Sequence, residues 1–337
     1  MPWRRTKDPY AIWISEIMLQ QTRVETVRSY FARWMTRLPN VRALAAAPLD
    51  DVLGLWSGLG YYARARNLKA AAEFLVAEES GELPRDPQRL RAMPGVGDYT
   101  AGAIASIAFG LPEPILDGNV ARVLSRVFLI TSPPEAKATR ERLWALARAL
   151  VPKNAASDFN QAMMELGATV CTPRAPACAS CPIAARCRAR AAGRQAALPR
   201  KKLRRSVPEI EQLALIAVDG AHVLLGRRPT RGLWGGLWEP PCMNASETAP
   251  DEIAARYAQR FGVALGKATL GAPIAHALTH RRYRFLPLVA RAQRGRAAHA
   301  DREGFYESLG WFDVRALAEL GVAAWARRAL DETLAPE

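Results

Sequence analysis

Apolar positions recur at helical spacing through the first half of the chain. Asp8-Pro9 is a helix start signal, with proline at the first helical position; Ile12, Trp13 and Ile17 follow it, then Val24, Val27, Phe31 and Trp34. The same periodicity predicts helices over residues 51–56, 61–78, 87–92, 99–109, 120–130, 139–151 and 159–167. Glycine and proline punctuate them at Gly58-Leu59-Gly60, Pro94-Gly95, Pro112 and Pro152. Strand-like alternation is scarce before residue 200. Beyond it the pattern changes: residues 213–218, the turn Asp219-Gly220 and residues 222–228 predict a β-hairpin. A helix over 251–261, strands near 274–278 and 283–290, and two short C-terminal helices complete the reading. The chain is therefore expected to join an all-α region to an α+β region.

A length of 337 residues favours two domains over one core. No apolar run reaches the length of a membrane span, because Gly110, Pro112, Glu113 and Pro114 interrupt the longest. Arg4, Arg5, Lys7 and Asp8 are followed by no apolar h-region, so no secretory leader is expected and the cysteines belong in a reducing cytosol. A net charge of +15 points to a polyanionic partner. No acidic residue occurs between Glu165 and Glu209, while Arg174, Arg186, Arg188, Arg190, Arg194 and Arg200 lead into Lys201, Lys202, Arg204 and Arg205. Such a run is ordinarily a solvated linker; bracketing a cysteine cluster, it suits a phosphate backbone.

That cluster is Cys171, Cys178, Cys181 and Cys187, spaced C-x6-C-x2-C-x5-C. Four thiolates in so short a loop can surround one metal centre, and soft thiolates select zinc or an iron–sulfur cluster. Structural zinc usually shows two close cysteine pairs, whereas only Cys178/Cys181 is close here; the wide, uneven gaps suit a larger cubane.

Three segments carry further chemistry. Residues 90–101 read as a helix, a turn holding Gly95, Val96 and Gly97, and a second helix; its backbone N–H groups and helix start can grasp a phosphate without reading sequence. An ordinary helix corner would need neither the paired glycines nor the flanking Thr100-Ala101. Asp117 opens another helix, where an aspartate serves as a cap and also as an anion beside a developing cation. Glu16 sits among apolar residues, with Gln20 one turn on; desolvation there would let it hold a proton, as a general acid must.

Taken together, WISEIMLQQTRV (13–24), WSGLGYYARARNL (56–68), MPGVGDYTAGAIASIAFG (93–110), LDGNVARVLSR (116–126), the cysteine run and GLWGGLWEPP (232–241) resemble the endonuclease-III superfamily, and within it the MutY-type adenine DNA glycosylases. The resemblance implies removal of adenine mispaired with 8-oxoguanine or guanine from double-stranded DNA, by flipping the base out of the stack. Glu16 would protonate the leaving adenine and Asp117 would stabilise the sugar cation, with Tyr99 and Asn119 supporting that carboxylate. Leu19, Gln21 and Tyr61 would fill or wedge the duplex, Gln20 would join them in binding DNA, and Gly95, Val96 and Gly97 would hold its backbone. Cys171, Cys178, Cys181 and Cys187 would bind a 4Fe-4S cluster. Strand-cleaving relatives carry a lysine where this chain has Tyr99, so a monofunctional glycosylase is expected and an oxidised-pyrimidine glycosylase/lyase is disfavoured.

The second region resembles a Nudix domain without its catalytic box: Arg256, Gln259 and Arg260 stand where metal-binding glutamates would be, which disfavours a nucleotide hydrolase. In the family this domain reads 8-oxoguanine through a Phe-Ser-His loop; here the run is Leu278-Thr279-His280, so Thr279 and His280 are its expected contacts. The expected organisation is a helix–hairpin–helix glycosylase domain over 1–192 with the cluster loop at 171–187, a basic linker over 193–208 and a Nudix-like α+β domain over 209–337. A cytoplasmic, nucleoid-associated monomer without membrane association is implied.

Overall fold

The computed structural model describes residues 1–200, 207–245, 252–293 and 301–334. The chain divides into two compact units, Met1–Ala46 with Asn67–Arg204, and Ala47–Arg66 with Arg205–Glu337. Lys201, Lys202, Arg204 and Arg205 of the expected linker lie outside the described residues. No helix among the described residues is long and apolar enough to cross a membrane.

Among its described residues the first unit holds helices and no strand. In chain order the helices are α1 (Pro9–Leu19), α2 (Val24–Arg37), α3 (Val41–Ala46), α4 (Leu49–Trp56), α5 (Ala63–Glu78), α6 (Pro87–Ala92), α7 (Asp98–Ile107), α8 (Gly118–Val127), α9 (Lys137–Leu150), α10 (Ala156–Glu165) and the short α11 (Arg188–Ala191); α4 belongs to the second unit. Asp8 caps α1 by accepting from the Tyr10 and Ala11 amides, with Pro9 in the first turn, as the sequence signal requires. Every residue from Tyr10 to Met18 is buried, so α1 is a central helix without a polar face. Its Ile12 packs with Ala103 and Ile107 of α7, Val120 and Leu124 of α8, and Leu143 of α9. Between α1 and α2 the chain turns at residues 20–23, where Gln21 takes a left-handed backbone (φ 60°) that no glycine or proline announces.

The α6–α7 corner is the expected hairpin. Gly95 has φ +75°, and a Cβ there would fall 2.5 Å from the Asn67 Cβ, so both conformation and space demand glycine. The Val96 side chain is buried as the hairpin's anchor, while Gly95 and Gly97 are exposed.

The second unit is an eight-stranded mixed sheet of β1 (Glu209–Asp219), β2 (His222–Arg227), β3 (Trp238–Glu239), β4 (Cys242–Asn244), β5 (Leu265–Leu270), β6 (Ile274–Ala277), β7 (Arg282–Ala292) and β8 (Ser308–Asp313). β1 and β7 run parallel at its centre, from Glu209 opposite Arg282 to Val218 opposite Arg291. One face carries α12 (Ile253–Phe261), whose Tyr257 and Phe261 pack with Leu215, Leu224 and Leu288; α13 (Ala324–Leu334) follows near the C-terminus. The stretch Ala47–Arg66 joins this unit and not the helical one to which the sequence assigns it. Asp50 accepts from Arg227 at 2.9 Å, the Tyr62 hydroxyl donates to the Val322 carbonyl at 3.2 Å, and Arg66 donates to the Gly235 carbonyl at 2.6 Å.

Arg260, at a position the Nudix box would give to a metal-binding glutamate, forks onto both oxygens of Asp301 at 2.9 Å. Asp301 also accepts from the amides of Glu303, Phe305 and Tyr306. Burial pushes its carboxyl pKa up, but the Arg260 fork and the amide bonds outweigh that and hold it below the ordinary aspartate range. Asp301→Ala would leave the amides and the guanidinium without acceptors, so unfolding followed by tryptophan fluorescence should show a loss of about 3–5 kcal/mol. A depressed carboxylate stabilises the fold above its unfolded pKa and loses that contribution as pH falls through its folded one. The wild-type advantage should therefore shrink below about pH 4.

Candidate active site

A cleft of the helical unit is lined by the N-terminal residues Met1 and Arg4, the end of α1 and the turn into α2, the hairpin, the start of α8, Arg140 of α9, and the end of α10 with Ala168 beyond it. The cleft has a volume of about 720 Å³ and is bordered by Glu16, Leu19, Gln20, Gln21, Gly95, Gly97, Tyr99, Asp117 and Asn119, among others. Those predicted residues are brought together. Val96 is not on its wall, and Tyr61, Thr279 and His280 lie in the second unit. Within that unit Tyr61 is half-exposed, and Thr279 and His280 are exposed in the turn between β6 and β7.

The two carboxylates occupy unlike environments. Glu16 is buried on α1, and the Tyr99 hydroxyl donates to its Oε2 at 2.6 Å. Burial drives the Glu16 pKa up; the Tyr99 bond and the Arg4 cation oppose the rise, and the charge of Asp117 adds to it. The net effect is a glutamic acid that keeps its proton above the ordinary range. Asp117 is the N-cap of α8. Its Oδ1 accepts from the Val120 amide at 2.7 Å and its Oδ2 from the Asn119 side-chain amide at 2.9 Å. Of the two residues expected beside Asp117, Asn119 donates to it, whereas Tyr99, the second residue of α7, donates to Glu16 on α1.

Two arginines that the sequence reading passed over fix this geometry. Arg122 donates to the Asn119 Oδ1 at 2.7 Å, the Gly167 carbonyl at 2.7 Å and the Cys171 carbonyl at 2.8 Å. Arg126, one turn on, donates to the carbonyls of Thr172, Pro173 and Leu198 and to the Cys171 Sγ at 3.2 Å. The readable signal was two arginines at i,i+4 within the core-facing run Val120, Val123, Leu124. Arg4, another omission, borders the cleft and donates to Gln161 at 2.7 Å.

Cys171, Cys178, Cys181 and Cys187 line one cavity, closed on its other sides by Val123, Leu166, Val170, Pro176, Ile183 and neighbouring residues. Among the described residues no three His, Cys, Asp or Glu side chains converge closely enough for a single ion. The donor set is therefore four soft thiols arranged around an apolar space, a fit for a polynuclear centre.

Residues 14–149 match the HhH-GPD superfamily of base excision DNA repair proteins, and residues 212–332 match the NUDIX domain. The chain is 41% identical over 296 residues to the human adenine DNA glycosylase, covering 72% of this chain and 54% of the human protein. It is 38% identical over 239 residues to the adenine DNA glycosylase of Buchnera aphidicola subsp. Baizongia pistaciae, covering 71% of this chain and 68% of that protein. The chain spans about half the length of the curated mammalian and plant relatives it matches. A solved thermostable thymine-DNA glycosylase shares the helical fold at a TM-score of 0.53 and 30% identity, over 57% of this chain and 88% of that one.

The Glu16–Tyr99 bond gives a measurable consequence. A pH titration of the carboxylic C=O stretch by difference infrared spectroscopy, with Glu16→Gln identifying the band, should place Glu16 above the ordinary carboxylate range. The Tyr99 bond favours the charged form, so Tyr99→Phe should move the midpoint further up. A midpoint that falls in Tyr99→Phe would contradict this electrostatic assignment.

Proposed function

Because the chain belongs to the adenine DNA glycosylase family, we propose that it hydrolyses the N-glycosidic bond of adenine mispaired with 8-oxoguanine or guanine in double-stranded DNA. The observation that carries this reading is one cleft holding two carboxylates in opposite environments, Glu16 buried and Asp117 capped. Base departure from a sugar needs an acid for the leaving group and an anion for the cation left behind. Glu16 supplies the proton to the flipped adenine, and Asp117, held by Val120 and Asn119, faces the sugar cation. A volume of about 720 Å³ has room for an extruded nucleotide. Gly95 and Gly97 at its rim offer backbone N–H groups to a phosphate, and Leu19, Gln20 and Gln21 border the space the base vacates. Tyr61 on the second unit enters the duplex beside the lesion, and Thr279 and His280 contact the oxidised base.

Tyr99 has no amine with which to open the sugar, which supports a monofunctional glycosylase. Arg260, committed to Asp301, supports a second domain without nucleotide-hydrolase chemistry. The thiolates of the four cysteines would hold a 4Fe-4S cluster, and such a centre would tie the basic loop together through its four iron–sulfur bonds to them. Arg122 and Arg126 brace the carbonyls of that loop against α8. The protein acts as a monomer on chromosomal DNA, in a cytoplasm and in association with the nucleoid.

Single-turnover assays on duplexes carrying A:8-oxoguanine, A:G or thymine glycol test the reading. Adenine should leave the first two, with strand breaks appearing only after added alkali, and borohydride should trap little adduct. Asp117→Asn and Glu16→Gln should each slow excision at least about a hundredfold while leaving mispair binding nearly intact. Thymine glycol excision with spontaneous strand breaks would sink the proposal. The purified protein should be brown, with about four irons per chain and no stoichiometric zinc.

A further inference from the structure

Tyr61 stands on a turn built to hold it in an unfavourable backbone conformation. Gly58 and Gly60 have φ of 96° and 70°, and Tyr61 itself has φ 50°, a left-handed value that costs a side-chain-bearing residue free energy. The ring is 50% exposed, whereas its neighbour Tyr62 is buried. Behind it lies Arg64, 9% exposed, with its guanidinium carbon 5.6 Å from the Tyr61 ring centroid and 5.0 Å from that of buried Trp56. The cation is thus stacked between an exposed ring and a core ring. Its Nη2 also donates to the carbonyls of Leu59 at 3.3 Å and Gly60 at 3.1 Å, the two residues that set the Tyr61 backbone. The Trp56 indole donates to the same Gly60 carbonyl at 3.0 Å. Burial lowers the Arg64 pKa to about 10, so it remains a cation at neutral pH.

We propose that Arg64 is the positioning residue for Tyr61, holding the exposed ring in advance as a platform on which a nucleobase stacks when the duplex is opened. This rests on the reading above that Tyr61 enters the duplex. A ring held by one cation from behind and one strained turn from below reaches its target without paying rotamer entropy on binding. Stacking of bases on aromatic rings is sequence-tolerant, which suits a wedge that must work beside any neighbouring pair. Lysine cannot replace Arg64 fully, because a compact ammonium lacks the planar face that lies against two rings at once.

A double-mutant cycle with a spectroscopic readout tests the idea. The variants are Tyr61→Ala, Arg64→Met, Arg64→Lys and the double variant Tyr61→Ala/Arg64→Met, each in the full chain. Two quantities are measured on a duplex with 2-aminopurine beside A:8-oxoguanine: the fluorescence gain on binding, which reports unstacking, and the single-turnover excision rate. Arg64→Met should slow excision about fivefold, the size of one cation–π contact to a solvent-exposed ring, and lower the fluorescence gain. Arg64→Lys should recover part of both. In the Tyr61→Ala background Arg64→Met should add nothing, since the ring it positions is gone. Equal slowing in both backgrounds would mean that Arg64 only stabilises the fold, overturning the proposal while leaving the wedge reading intact. An unaltered rate and fluorescence gain in Tyr61→Ala would overturn the wedge reading and the proposal with it. Should Arg64→Met fail to fold, Arg64→Lys in the two backgrounds decides by the same comparison.

Discussion

A carboxyl group taken out of water has its pKa raised unless a cation meets it, and burial on α1 does this to Glu16. No neighbouring guanidinium forks onto it in the way Arg260 forks onto Asp301. It receives one hydroxyl, from Tyr99, and Arg4 acts on it through space. One neutral donor does not offset the desolvation of a carboxylate, so the pKa is held above its ordinary range. The same α1 that denies Glu16 solvent also packs against α7 and α8, the helices that carry the hairpin and Asp117. The positions of Glu16, Asp117 and the hairpin corner are therefore consequences of one core.

Asp117 is placed by a different logic. A helix cap is already an anion-holding geometry, since the first-turn amides seek an acceptor. Using such a residue opposite a cation needs only that one side remain open to the cleft. What holds the cap in register is further along α8. Arg122 bridges the Asn119 amide to the carbonyls of Gly167 and Cys171, and Arg126 gathers the carbonyls that follow. Each guanidinium is buried with several oxygens in place of water, an arrangement that is strongly destabilised if any partner moves away. The cysteine loop and the capped carboxylate are thereby fixed by one helix.

The helical half was legible because its signals are local. Asp8-Pro9 starts α1, Pro94-Gly95 marks the hairpin and Glu16 stands out as a charge amid apolar neighbours; each keeps its meaning in the fold. The turn at Gln21 was not legible, since its left-handed backbone is imposed by what α1 and α2 pack against and not by glycine. β5 and β8 escaped notice because their alternation is broken by Gly266 and Gly310. Periodicity identified α4 as a helix but could not say which core it joins. That depends on Asp50, Tyr62 and Arg66 meeting residues more than 150 positions away.

That last point bears on what the second unit does. It shares no chain continuity with residues 47–66 until residue 205, yet its strands and its Gly235 loop hold that stretch by hydrogen bonds from Arg227, Tyr62 and Arg66. Tyr61 lies inside the stretch, on a turn whose strained conformation persists only while its surroundings over-determine it. Cutting the chain near residue 205 therefore removes more than Thr279 and His280: it removes the carbonyl acceptors of Tyr62 and Arg66, which follow Tyr61 in the chain. The sheet holds the proposed wedge as well as carrying the turn proposed to read the lesion, and the two contributions separate experimentally, because substituting Thr279 and His280 leaves the supports of Tyr61 in place.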